Sequence, residues 1–260
     1  MNQKALTIVK VGGKIIEDKS MLIQLIDKFS QVTTPKILIH GGGRSATQIA
    51  EKLGIETTMV NGRRVTNEEM LDVVTMVYGG LINKQLVALL QSKKVNALGL
   101  TGADANLILS HKRQVEDVDY GFVGDVDQVN APFISHLLLD GVVPVIAPLT
   151  HDGVGNLLNT NADTIGSTCA VAMANFKEVT LCFCFEFDGV LSDPNGEKSV
   201  ISKINLASFQ ELKKQGVISG GMLPKLENAF NALRSGVKEV VITSIKHIGD
   251  PEHGTHITLH

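Results

Sequence analysis

Two rhythms of apolar residues alternate along this chain. Six short runs are almost continuously apolar and rich in β-branched residues: Ala5–Val11, Lys36–His40, Val95–Leu100, Val143–Ala147, Val179–Phe185 and Glu239–Thr243. Each ends in Gly, Pro or polar residues, as strands buried on both faces of a parallel sheet do. Between them the spacing is helical. Leu22, Leu25, Ile26 and Phe29 make one stripe, and Met70, Val73, Val74 and Val77 make another. Leu206–Lys214 and Met222–Leu233 read as further helices, and Thr66 with Glu69 reads as a capping box. Strands alternating with helices predict an open, mainly parallel central sheet with helices on both faces, a three-layer α/β/α architecture. Around Ile108–Val129 the pattern shifts to short polar–apolar alternation with Gly121 and Gly124, which predicts hairpins decorating the sheet. A boundary is expected near Asn175–Glu178, dividing residues 1–175 from residues 176–260 as two functional lobes on one continuous sheet.

Composition narrows the class. The chain has 260 residues, 43% hydrophobic and 20% charged, with 25 Gly, 9 Phe, 2 Tyr and no Trp. It is too apolar for disorder, its glycines have no repeat, and no apolar run approaches the roughly 18 residues needed to cross a bilayer. A net charge of −3 argues against nucleic acid as a partner. Lys4 and Lys10 bracket only five uncharged residues, too few for a signal-peptide core. Cys169, Cys182 and Cys184 form no disulfide framework and no zinc pattern, so they read as buried reduced thiols of a cytoplasmic protein.

Three glycine clusters stand after predicted strands: Gly12-Gly13, Gly41-Gly42-Gly43 and Gly220-Gly221. Glycine there lets backbone amides approach an anion, and a helix N-terminus adds positive potential. The Walker pattern fails, because Gly13-Lys14 is preceded by Ile8 where it needs Gly and followed by Ile15. Gly41-x-Gly43-x-x-Ala46 formally matches the dinucleotide fingerprint, but the acidic residue expected about 20 positions later is missing. Cations are more informative. Lys10 lies in a strand otherwise made of Thr, Ile and Val, where a lysine is costly unless paired or facing a ligand. Lys225 stands one turn into the helix after Gly220-Gly221. Arg64 carries a fork suited to a carboxylate, and Asp163 could hold two lysines in place. Each has an ordinary alternative: an edge position for Lys10, solvent for Lys225 and Arg64, a helix cap for Asp163.

Lys10-Val11-Gly12-Gly13, His40-Gly41-Gly42-Gly43, Asn61-Gly62-Arg63-Arg64-Val65-Thr66, Asn159-Thr160-Asn161-Ala162-Asp163 and Gly221-Met222-Leu223-Pro224-Lys225 occur in the order seen in the amino acid kinase family. The chain resembles that family from Lys4 to about Ile257. The N-G-x-R-V-T and N-x-N-A-D segments resemble its branch acting on acylated glutamate, in arginine biosynthesis. The resemblance implies ATP as co-substrate with Mg²⁺, and an N-acyl-glutamate phosphorylated on its γ-carboxylate. Lys10 and Lys225 would neutralise the transferring phosphoryl group, and Asp163 would orient both. Gly12 and Gly13 would bind phosphates, while Gly42 and Gly43 would meet the substrate's reacting end. Arg64 and Asn159 would hold its α-carboxylate. Glu186, Asp188, Gly189, Val190, Leu191, Val217, Ile218 and Ser219 would line the nucleotide site. A γ-carboxylate with a pKa of about 4.3 is already ionised at neutral pH, so no general base is required.

The chain departs from the family at Phe185-Glu186-Phe187-Asp188-Gly189, where Ser/Thr-Asp-Val-x-Gly is usual. His247, His253, His256 and His260 fit no known ligand spacing and read as solvated, so no protein-held metal is expected. Acetyl and succinyl remain open as the acyl group. Arginine-inhibited hexamers of the family carry a helix ahead of the first strand. The early first strand here implies instead a homodimer without arginine feedback, formed through the Met70–Leu90 helix. Carbamate, aspartate and glutamate kinases share the glycine clusters and are the rival activities. A non-catalytic sensor and a dinucleotide oxidoreductase are rival classes.

Overall fold

Ala5–Val11 lies inside an eight-stranded sheet, and its side chains alternate between two cores. The structure, a computed structural model, describes residues 5–60, 62–192 and 199–260; Asn61 of the N-G-x-R-V-T segment is outside them. Leu6 and Ile8 face one core, among Phe183, Ile165 and Phe230. Val9 and Val11 face the other, among Cys182, Phe29 and Val77. Covering both faces is what removes polar alternation from the strand. Each such side chain taken fully out of water contributes roughly 1.5–3 kcal/mol of transfer free energy.

Ala5–Val11 pairs in parallel with Lys36–His40 on one side and Glu178–Phe185 on the other. The full spatial order is Lys203–Ile204, Thr255–Ile257, Glu239–Ser244, Glu178–Phe185, Ala5–Val11, Lys36–His40, Val143–Ile146 and Ala97–Leu100. Only Lys203–Ile204 and Thr255–Ile257 run against the rest. Both expected segments therefore contribute strands to one sheet. The run starting at Val95 becomes a strand only from Ala97, because Lys94 adopts a left-handed φ of 61° at the end of the preceding helix.

The expected hairpin is present as Ile108–Lys112 against Val123–Val129. It closes with Leu149–His151 and Leu157–Thr160 into a four-stranded barrel. A Cβ at Gly124 would lie 2.6 Å from Thr160 Oγ1 and 2.9 Å from Leu158 Cβ, so closure there requires glycine.

Three readings are corrected. Gly220-Gly221 does not follow a strand. It follows the helix Leu206–Lys214, whose Leu212 carbonyl accepts from the amides of Val217 and Ile218, and Gly220 takes φ 53° before the helix Met222–Arg234. Thr66 does not cap the next helix. Asn67 does, its side-chain oxygen accepting from the Met70 amide at 2.9 Å, because Thr66 is tied into a bridge with Gly121. Finally, the helical stretch Glu68–Ser92 is long and apolar enough to span a bilayer by length and composition, with a mean hydropathy of 1.5. Its Val73, Val74, Val77 and Leu86 lie in a protein core instead. Between Thr75 and Ile82 this stretch widens to a π-helix, which carries Tyr78 and Ile82 against the glycine loop after Lys36–His40.

Candidate active site

Strand alternation places Lys10 on the same face as Leu6 and Ile8, at the carboxyl end of the sheet. Its stem passes Gly166, where an added Cβ would lie 3.4 Å from Lys10 Cβ. Its Nζ reaches Asp163 Oδ1 at 2.8 Å. Lys225, from the first turns of Met222–Arg234, donates to both oxygens of the same carboxylate at 3.1 Å. Asp163 is available for this because Asn161 caps the helix Ala162–Ala174, accepting from the amides of Asp163 and Thr164. Burial works to raise the Asp163 carboxyl; Lys10 and then Lys225 outweigh it and hold it at about 2. Burial lowers the Lys225 ammonium from its ordinary range, against the pull of Asp163. Two cations on one carboxylate leave an uncompensated positive charge facing the cleft.

The glycine loops converge opposite this cluster. A Cβ at Gly13 would stand 3.6 and 3.7 Å from the amide nitrogens of Gly42 and Gly43. Gly13 and Gly43 are first residues of helices, where an amide has no intrahelical partner. Gly12 differs from expectation, since its amide donates to the Cys184 carbonyl at 3.3 Å, extending the sheet. The loop is held from behind by His40, which is fully buried. Its Nδ1 donates to the Gly41 carbonyl at 2.9 Å, which leaves Nε2 to accept from Asn83 at 3.2 Å. Burial drops the imidazole pKa to about 4, so the ring is neutral.

Arg64 is buried beside the Gly43 loop and donates to Gly43 O and Thr47 Oγ1 at 2.8 Å. Asn159 donates to Thr66 Oγ1 at 3.0 Å, and Thr66 donates to the Arg64 carbonyl at 3.2 Å. This chain explains what Thr66 does in place of capping. Together these groups line a cleft of about 210 Å³ that includes Lys10, Gly13, Gly42, Arg64, Asn159 and Asp163. Among the described residues, Asp163 is the only acid lining it. Arg63 and Tyr78 line it too, and the sequence reading missed both. Arg63 was hidden beside Arg64 in a doublet. Tyr78 is placed there only by the π-helix, in which burial raises its hydroxyl pKa.

A second cleft, of about 250 Å³, is lined by Phe185, Glu186, Phe187, Asp188, Leu191 and Ser244 among others. Glu186 meets Lys14 at 2.9 Å, and Asp188 accepts from Ser244 Oγ at 2.5 Å. Of the expected nucleotide residues, only Glu186, Asp188 and Leu191 line it. Val190 and Ile218 are core residues, packed there because the turns carrying them fold inward. Gly189 is wedged against Val200 and Thr255, where a Cβ would lie 2.4 and 2.7 Å from their side chains. Val217 and Ser219 belong to the turn before Met222–Arg234 and line neither cleft. The cysteines are buried and free; burial pushes Cys169 and Cys182 up to about 12 and Cys184 well above its ordinary value.

The chain is similar to known proteins over nearly its whole length. A family model described as the amino acid kinase family matches residues 5–244. The chain is 58% identical over 255 residues to an acetylglutamate kinase of Bacteroides thetaiotaomicron, covering 98% of this chain and 99% of that one. It is 59% identical over 248 residues to an acetylglutamate kinase of Phocaeicola vulgatus, covering 95% and 96%. The crystal structure of smu.665 from Streptococcus mutans UA159 aligns with a TM-score of 0.81 at 27% identity, covering 98% and 99%. On the family match and the near full-length identity, the chain belongs to the amino acid kinase family.

Proposed function

We propose that this chain transfers the γ-phosphoryl group of ATP to the γ-carboxylate of N-acetyl-L-glutamate, making the acyl phosphate used in arginine biosynthesis. The observation that carries this reading is the Lys10–Asp163–Lys225 cluster facing the paired glycine loops. Two anions must approach in line, and the barrier is chiefly their repulsion. Lys10 and Lys225 supply fixed positive charge where the equatorial oxygens gather it, and the loop amides add fixed dipoles. Asp163 is a positioning residue: it holds both ammonium groups where they are needed. No base is involved, because the nucleophilic carboxylate is ionised at neutral pH.

Arg64 and Asn159 would hold the α-carboxylate, the first as a charged fork and the second as an amide oriented by Thr66. ATP would lie in the second cleft, its base among Phe185, Phe187 and Leu191 and its phosphates directed towards Lys225 and Gly13. Mg²⁺ would lessen repulsion on the triphosphate. Asp163, the only acid among the described residues lining the first cleft, is engaged by two lysines, so the ion would be carried by nucleotide oxygens rather than by this carboxylate. The active form would be a homodimer, supported by Met76 and Leu81, exposed at 55% and 57% on the long helix.

A second reading of the acyl group rests on Arg63. This half-buried cation lines the same cleft, and its pKa is lowered by burial and by nearby Arg113. It would suit an acyl chain ending in a carboxylate, such as succinyl. Steady-state rates with MgATP and N-acetyl- or N-succinyl-L-glutamate, with hydroxylamine trapping of the acyl phosphate, test both readings. Hydroxamate formation with either acylglutamate but not with carbamate, aspartate or free glutamate is the expected result. Absence of hydroxamate with every N-acyl-glutamate would overturn the proposal.

A further inference from the structure

We propose that His247, Asp250 and His253 form a binding site for one borderline divalent transition-metal ion of the Zn²⁺, Co²⁺ or Ni²⁺ class, distinct from the Mg²⁺ that accompanies a nucleotide. These residues lie in the turns after Glu239–Ser244, just beyond Ser244, Ile245 and Lys246, which line the second cleft. One ligand atom from each lies within 4.8 Å of the other two.

The three side chains already stand close together, with the Asp250 carboxylate beside both rings. Asp250 Oδ1 accepts from the Glu252 amide at 2.9 Å, which fixes the carboxylate and turns Oδ2 towards the imidazoles. Oδ2 lies 2.8 Å from His253 Nδ1 and 3.7 Å from His247 Nδ1. The two rings are stacked with centroids 4.2 Å apart and planes within 6°. Both Nδ1 atoms lie near the same carboxylate oxygen, and because a metal sits in the plane of each ligating ring, one ring must swing out of the stack for both to face one ion. A tetrahedral ion with bonds near 2.0–2.1 Å needs ligand atoms about 3.4 Å apart. His253, whose side chain is 53% exposed, has the freedom to make that rotation, and solvent would complete the coordination.

A carboxylate also stands near the second ring nitrogen of His247. A metal-bound histidine commonly presents its second ring nitrogen to a carboxylate, which sets the tautomer and strengthens the donor. His247 Nε2 lies 3.9 Å from Asp188 Oδ1, and Asp188 is itself held by Ser244 Oγ. Ligation through Nδ1 would leave Nε2–H to point at that carboxylate. Two imidazole nitrogens with one carboxylate select borderline ions over Mg²⁺ and Ca²⁺, which take oxygen ligands. The pattern His-x-x-Asp-x-x-His is inconspicuous in sequence because a 3₁₀ turn and a second turn, rather than one helix, bring its members together.

Tag-free full-length protein, stripped with a chelator and dialysed, would be titrated with Co²⁺ followed by its d–d absorption, and with Zn²⁺ by calorimetry. The expected result is one ion per chain with a Kd in the micromolar range or tighter, a tetrahedral Co²⁺ spectrum, and a Tm raised by several degrees. His253→Ala and Asp250→Asn should weaken binding at least tenfold, whereas His260→Ala should leave it unchanged. His253 is exposed, so its replacement is expected to fold; an unaltered far-UV spectrum checks this. Absence of a saturable Co²⁺ signal, equal binding of Mg²⁺, or unchanged affinity in both cluster variants would overturn the proposal. None of these readouts depends on kinase activity.

Discussion

Lys225 stands 62 positions after Asp163 in the chain, yet its ammonium group donates to both oxygens of that carboxylate at 3.1 Å. Lys10, from the opposite end of the sequence, closes on the same group at 2.8 Å. The first strand, the helix Ala162–Ala174 and the helix Met222–Arg234 thus meet at one charge.

Removing that charge should affect rate and stability together. Asp163→Asn leaves two ammonium groups without their partner, and breaking such a buried pair costs on the order of 3–5 kcal/mol. Lys10→Ala and Lys225→Ala should each lower kcat by on the order of 10²-fold or more, because the lost interaction is strongest in the transition state. Denaturant unfolding and single-turnover kinetics measure the two effects. Near-normal kcat in the folded lysine variants would remove these residues from the chemistry.

Two neighbouring glycines should respond differently to alanine. At Gly13 an added methyl has ordinary clearance, 3.6 Å from Gly42 N, so the fold should tolerate it within about 1 kcal/mol. The methyl would nevertheless occupy the space where an anion meets the loop amides, and kcat/KM should fall at least tenfold. At Gly42 the methyl would lie 2.5 Å from Ile82 Cδ1 and 2.9 Å from Tyr78, and stability itself should drop by about 1–3 kcal/mol. Thermal melts paired with kinetics separate the cases; a fully active Gly13→Ala enzyme would contradict the anion assignment.

His40 should give stability an acid slope. Burial lowers its folded pKa from 6.5 to about 4, so the unfolded chain binds a proton that the folded chain refuses between those values. The contribution is fully present above pH 6.5 and is lost as pH falls towards 4, for a total of about 3 kcal/mol. Asp163 adds a separate loss between 3.8 and about 2. Tm measured from pH 7 to pH 4 should therefore fall more steeply in the parent protein than in His40→Gln. Parallel profiles would refute the assignment.

Arg64→Lys should raise the KM for acylglutamate at least tenfold and leave the KM for ATP nearly unchanged. A lysine cannot reproduce a guanidinium whose Nη2 donates to Gly43 O and Thr47 Oγ1 while its Nη1 donates to Thr57 Oγ1. Equal changes in both KM values would show a general distortion instead.

Met76→Glu with Leu81→Glu should convert the protein from dimer to monomer in light scattering, since both side chains are exposed apolar groups on one helix. A monomeric parent, or a dimeric mass unchanged by the substitutions, would overturn the proposed interface.

The sequence alone determined the layered architecture, because strands buried on both sides must be apolar throughout and amphipathic helices must repeat at their own period. Ala5–Val11, Lys36–His40 and Leu206–Lys214 could be delimited in this way to the residue. It also supplied the candidate residues Lys10, Arg64, Asn159, Asp163 and Lys225, because a charge within an apolar run and a resemblance of ordered motifs are both local signals. Only the tertiary structure decided the pairings. Asn161 rather than Asp163 caps its helix, Gly12 spends its amide on Cys184, and Val190 and Ile218 are buried away from the clefts. The four-stranded barrel, the π-helix that brings Tyr78 to Gly42, and the His247–Asp250–His253 cluster depend on separate turns meeting in space. Periodicity reports which face of an element is buried; it carries no information about which buried faces meet.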